Sequence, residues 1–304
     1  MKINMTSYSI LEDREILAIS GTDARSFLQA MISNDASKIA PEVSIYAAML
    51  TPQGKFLHDF IISQNEDSFL LDTEKRRVSE LAKNLNLFRL GSDVRISTKA
   101  DRLLVAALWQ KKGLPIFHNS PKPGNTEQIS NCSVILDPRL TALGYRIIGA
   151  PKDIKKLWSN KLPTAPTKSN YDIHRLKVGV PDGSRDIQVN KSFLLESNFE
   201  ELNGVAFDKG CYIGQENTAR QKHRGTIRRR LIKVHISGPT PNEGEIITWE
   251  NGEIGQIRSV NNTCGMATVR LDRWAEAKAQ NAKFCAGLAT ITPVIPEWLD
   301  YKKA

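Results

Sequence analysis

The chain has 304 residues, 40% of them hydrophobic and 25% charged, which suits a folded protein with two or three ordinary cores and excludes a disordered or fibrous one. Its 42 basic and 33 acidic side chains give a formal charge of +9, an excess that suits an anionic partner without naming one. The longest apolar stretch, LLVAALW at 103–109, is too short to cross a bilayer, and the start MKINMTSYSI has no apolar h-region. The expectation is a protein of the bacterial cytoplasm or an organelle matrix, with no signal peptide and no membrane partner.

In chain order, EILAIS (15–20) reads as a strand, followed by GTDARSFLQAMIS, in which Thr22 or Asp23 can cap a helix. Phe27, Leu28, Met31 and Ile32 recur on one face of it. Residues 45–72 read as a β meander with turns at TPQG and QNED, then a helix in which Val78, Leu81, Ala82 and Leu85 face a core. DVRIS and RLLVAAL add strands, and the Pro/Gly/Ser/Asn-rich segment 112–131 reads as a surface loop. A strand at YRIIGA, a helix at KDIKKLW, a connection at KLPTAPTKS and a helix at YDIHRLKVG follow. Beyond Arg228 the chain reads as a small all-β domain, with Asn251-Gly252 as a hairpin turn.

The four cysteines, at 132, 211, 264 and 285, show no C-x-x-C spacing and no His at ligand spacing, so neither a structural zinc site nor a disulfide framework is expected. Cys211 stands apart because Gly210 and Gly214 flank it and a helix-compatible stretch, QENTARQK, follows. The positive end of a helix dipole and the charge of Lys209 would both favour its thiolate. A small buried hydrophobe in a tight turn fits the same residues.

KGCYIGQE (209–216) resembles the signature of the YgfZ family, which includes a mitochondrial iron–sulfur assembly factor. SGTDARSFLQAMISND (20–35), LTPQGKFLHDFII (50–62), HRLKVGVPDG (174–183) and LLESNFEEL (194–202) resemble further family segments in the expected order, with Ser33 where the family has Thr. The family is related to the glycine-cleavage T-protein, an aminomethyltransferase. The resemblance implies an α+β fold of two interleaved ferredoxin-like units and a C-terminal β-barrel. The implied boundaries are 1–46 plus 165–227 for a discontinuous folate-binding domain, 47–164 for the second α+β domain and 228–304 for the barrel.

It also implies tetrahydrofolate, or a folate derivative, as cofactor. Glu196 would grip the pterin ring, because an ionised carboxylate only accepts hydrogen bonds and that edge of the ring donates them. Tyr171 would stack on the folate, while Arg14 stands where some relatives have another aromatic. Asp59 matches one of two adjacent acids in the transferases, one of which acts on the cofactor nitrogen, but its neighbour here is His58. A solvent-facing Asp59 on an alternating strand is the plainer alternative. Asn34 and Asp35 could line the same cavity or merely end a helix.

Arg220, Lys222, Arg224, Arg228, Arg229, Arg230 and Lys233 form a basic run. It reads as a solvated face, as a holder of the folate glutamate tail (Arg220 and Arg230 foremost), or as an RNA contact. Few aromatics interleave it, which disfavours direct nucleic-acid binding, and His223 reads as a surface residue. Two functions stay open: a folate-binding accessory protein for assembly or repair of 4Fe–4S clusters in clients that include tRNA-modifying enzymes, with Cys211 as thiol or shared ligand, or a folate-dependent aminomethyltransferase with Cys211 and Asp59 at its centre.

Overall fold

A computed structural model of the chain describes residues 7–98, 103–109, 121–158, 168–225, 227–250, 252–280 and 282–299. Its strands are β1 Ser7–Ile10, β2 Arg14–Ser20, β3 Ile45–Leu50, β4 Phe56–Asn65, β5 Ser68–Glu74, β6 Arg95–Ser97, β7 Leu104–Trp109, β8 Thr126–Ile129, β9 Cys132–Leu136, β10 Tyr145–Gly149, β11 Arg229–Ser237, β12 Ile246–Trp249, β13 Gly252–Asn261, β14 Cys264–Arg270, β15 Phe284–Ala286 and β16 Ala289–Val294. Its helices are α1 Ala24–Met31, α2 Val78–Leu87, α3 Pro151–Trp158, α4 Lys168–Val178, α5 Gly183–Asp186, α6 Gln215–Arg224 and α7 Leu271–Ala279.

Two compact units share the chain, and neither is contiguous. The first comprises Met1–Leu50, His58–Tyr171 and Leu202–Ile213, and the second Thr51–Leu57, Asp172–Glu201 and Gly214–Ala304.

The first unit holds two five-stranded sheets, ordered β3-β4-β5-β2-β6 and β1-β7-β10-β9-β8. Helix α1 buries Ala24, Phe27, Leu28 and Met31, and α2 buries Val78, Leu81 and Leu85. Both apolar stripes join Leu17, Ile19, Phe60, Ile62 and Leu71 of the first sheet in one core. A smaller core forms where Ile154 of α3 meets Leu108, Val134 and Ile147 of the second sheet. Asp23 does occupy the N-cap of α1 but makes no side-chain cap bond; its carboxylate instead accepts from the Asp93 N–H at 2.8 Å. Part of the segment read as a loop is strand: Thr126–Ile129 pairs with Cys132–Leu136.

The second unit carries a closed barrel of order β11-β14-β13-β12-β15-β16. Its core gathers Ile232, Val234, Ile247, Trp249, Ile257 and Ile291. This segment is not all-β, because α7 intervenes between β14 and β15 and buries Leu271, Trp274 and Ala277. The TPQG turn belongs to this unit, with the Gly54 N–H donating to Thr51 O at 2.8 Å. Gly54 has φ +76°, and a Cβ there would come within 2.8 Å of Gly214 O, so both backbone freedom and close approach require glycine. The hairpin expected at Asn251-Gly252 is present as the β12–β13 pair, although Asn251, Arg224's side chain and the KLPTAPTKS connection up to residue 167 lie outside the described residues.

Candidate functional site

Segment 202–213 wraps the C-terminal end of α1. The Ala206 N–H donates to Ser33 O at 3.0 Å, and the Ile213 N–H to Ala30 O at 3.1 Å. The Ser33 hydroxyl donates to Gly204 O at 2.6 Å while accepting from the Ala48 N–H at 2.8 Å. The last carbonyls of a helix lack intrahelical partners and carry the negative end of its dipole. Lys209 answers both needs, since its ammonium donates to Gln29 O, Ile32 O and Asn34 O at 2.7, 2.8 and 2.8 Å. Burial lowers its pKa to about 8, with Asp35 opposing the shift.

Held this way, the loop exposes the free Cys211 thiol beside a buried Tyr212. The reading of Cys211 as a small buried hydrophobe is therefore overturned. The Lys209 N–H donors serve three carbonyl oxygens, so its hydrogen bonds go to the loop's anchorage while its charge stays two positions from Cys211. Cys285 is exposed too, whereas Cys132 is buried and burial pushes its thiol up to about 11. Among the described residues no group of three or more His, Cys, Asp and Glu side chains could hold a metal ion.

A second feature of the first unit is a buried polar network that the sequence did not announce. Asp59 is 3% exposed, which excludes a solvent-facing place on its strand. Its Oδ2 accepts from the Tyr46 hydroxyl at 2.9 Å, and burial together with the Asp59 charge holds that phenol well above its usual pKa. Arg139 lies 5.7 Å from the Tyr46 ring, pairs with Asp137 at 2.7 Å and reaches the Tyr171 hydroxyl at 3.4 Å. Tyr171 also meets Trp109 edge-on at 5.4 Å and has Arg146 5.7 Å from its ring. Arg146 and Arg14 converge on Asp72 at 3.3 and 2.7 Å. Asp59, Tyr171 and Arg14 thus belong to one network. Asn34 anchors its edge by donating to Tyr46 O and Asn203 O, both at 2.8 Å. Asp35 caps the short turn at Ala36–Lys38 by accepting from the Ser37 N–H.

In the second unit, Glu196 is half-buried on the turn Leu195–Ser197. Burial raises its pKa, while a Phe193 backbone N–H, Lys55 and Arg229 pull it back. Lys55 itself sits 3.1 Å above the Phe193 ring. The two cations expected to hold a folate tail are both neutralised by carboxylates. Arg230, 2% exposed, donates to Glu201 at 2.5 Å, and Arg220 pairs with Glu216 one helical turn away at 2.8 Å. His223 is exposed, as expected.

The chain is 30% identical over 286 residues to the human mitochondrial iron–sulfur cluster assembly factor IBA57, covering 88% of this chain and 77% of that protein. The chain belongs to the IBA57 family. The mouse IBA57 is 27% identical over 95% of the chain and 84% of its own length. The Neurospora crassa homologue is 29% identical over 76% of the chain and 54% of its own length. Residues 228–301 match the CAF17 C-terminal β-barrel domain model. Among solved structures, the glycine cleavage system aminomethyltransferase T of Bartonella henselae superposes with a TM-score of 0.74 at 16% identity, over 98% of this chain and 87% of its own. The IBA57-family chain therefore has the aminomethyltransferase-like α+β fold, closed by a six-stranded barrel, that the sequence resemblance implied. No helix among the described residues is long and apolar enough to cross a membrane.

Proposed function

We propose that this protein is an accessory factor of the YgfZ kind for assembly or repair of 4Fe–4S clusters, and that Cys211 is its working thiol. The observation that carries this reading is an exposed cysteine on a loop fixed to the end of α1 by Lys209 and two backbone bonds. The relatives' name, iron–sulfur cluster assembly factor, supports it. The cluster is cargo, and one cysteine cannot hold it, so the remaining ligands come from a partner iron–sulfur assembly or client protein. Clients would include tRNA-modifying iron–sulfur enzymes, as the YgfZ resemblance implies.

Tetrahydrofolate is the proposed cofactor. Glu196 suits the donor edge of a pterin: it is half-buried, and Lys55, Arg229 and the Phe193 N–H favour its charged, purely accepting form against burial. When bound, the folate would supply a one-carbon carrier. This chain's part is to orient the ring through Glu196.

Cys211→Ser tests the reading. The variant should fold normally and fail to restore the activity of a 4Fe–4S client in cells lacking the protein. Full restoration would sink it.

A further inference from the structure

The basic run sorts itself into spent and unspent cations. Arg220 pairs with Glu216, Lys222 with Glu200 and Arg230 with Glu201, and the Lys233 ammonium donates to Lys177 O at 2.6 Å. Arg228 and Arg229 are exposed and have no carboxylate within 4 Å among the described residues. Arg229 helps to hold Glu196 ionised, but without an ion pair.

The sheet places a third guanidinium beside them. Arg229 of β11 is the direct cross-strand partner of Arg270 of β14. Like charges directly opposite one another destabilise a strand pair. Arg270 is partly offset by Asp272, whose carboxylate accepts from it at 2.8 Å and is held down at about 2 chiefly by that bond. Arg228, Arg229, Arg270 and Asp272 together line one concavity of about 480 Å³. Among the described lining residues, three guanidiniums stand against one carboxylate, a formal excess of +2, with Glu253 also acting on Arg270.

We infer that this barrel-side cleft binds a compact dianion, the charge class shared by phosphate monoesters and small dicarboxylates. Guanidinium forks match both oxyanions in bidentate geometry, and a phosphate monoester carries about −1.5 to −2 near neutral pH. A volume of this size lies within the range of small-ligand sites. The dianion relieves the Arg229–Arg270 opposition. The cleft shares Arg229 with the surroundings of Glu196, but Glu196, on which the folate proposal rests, is not among its described lining residues.

Calorimetric titration of the full chain at low ionic strength with phenyl phosphate, succinate and acetate tests the cleft. Phenyl phosphate or succinate should bind roughly tenfold or more tighter than acetate, and whichever dianion binds tighter identifies the source. Arg228→Gln and Arg270→Gln, checked for an unchanged melting temperature, should each weaken the dianion by about tenfold, whereas Arg220→Gln should leave it unchanged. Glu196→Ala should not weaken it, so loss of the folate reading would leave this one standing. Equal binding of acetate, or an equal loss in Arg220→Gln, would mean that only the general positive field attracts anions, and the inference falls.

Discussion

The Lys209 ammonium donates to the Ile32 carbonyl across 177 residues of sequence, so the lysine two positions before the exposed cysteine fastens its loop. Lys209→Met should remove three charge-assisted hydrogen bonds and cost on the order of 2 kcal/mol. The amides of Ala206 and Ile213, which bond to Ser33 O and Ala30 O, should exchange with solvent roughly tenfold faster while those of the barrel stay unchanged. Unchanged exchange at these two amides would mean that the backbone bonds alone secure the loop.

His58 gives a pH prediction. It is 2% exposed, and burial, seconded by Arg77, lowers its pKa to about 3 from 6.5. Its Nε2 lies 3.3 Å from Asn84 Nδ2, the arrangement of a neutral ring accepting from an amide. Below pH 6.5 the unfolded chain takes up a proton that the folded chain refuses. The stability present above 6.5 is therefore lost as the pH falls towards 3, by an amount on the order of 3–5 kcal/mol. Denaturant unfolding of the wild type and His58→Gln across this window should show a shallower acid loss in the variant; parallel curves would contradict the assignment.

The second unit depends on a buried ion pair. Arg175 Nη1 donates to Asp186 Oδ2 at 2.7 Å, and Asp186 Oδ1 accepts from the Ser259 N–H at 3.0 Å. Asp186→Ala leaves the buried guanidinium with Asp172, 3.1 Å from its Nε, as its remaining carboxylate among the described residues and should destabilise by about 3 kcal/mol. Arg175→Met with Asp186→Leu removes both charges and should recover much of that loss. A double variant no more stable than the single one would show that the pair is needed for more than charge balance.

For the proposed folate site, Glu196→Ala should weaken tetrahydrofolate binding by about 1.5–3 kcal/mol, the scale of a charged hydrogen bond. Calorimetry reads this directly, and an affinity indistinguishable from wild type would move the cofactor away from this carboxylate.

The apolar spacing of Phe27, Leu28 and Met31 made α1 legible, and apolar runs split by the TPQG and QNED turns did the same for the meander, because both signals are local. Strand Thr126–Ile129 was missed since TEQI has little apolar signal and draws its place from pairing with Cys132–Leu136. Helix α7 hid in a β-rich neighbourhood with only Leu271, Trp274 and Ala277 to mark it. The polar network was beyond reach for another reason. Asp137 and Arg139 flank a proline and read as a turn, and nothing near Asp72 indicates that Arg14 and Arg146 will meet there. Likewise Arg229 and Arg230 look alike in sequence. Only the pleat of β11, which exposes one and buries the other against Glu201, separates them.

The woven path of the chain has a consequence for its synthesis. The first unit is completed by Leu202–Ile213, so α1 emerges from the ribosome long before the residues that close its carbonyl end. Ordering so long a loop is an entropic cost met late, and rapid local folding cannot supply it. A nascent chain that stops before residue 202 displays neither the fastening lysine nor the thiol. Translation thus withholds the cysteine until the surface that must hold it already exists.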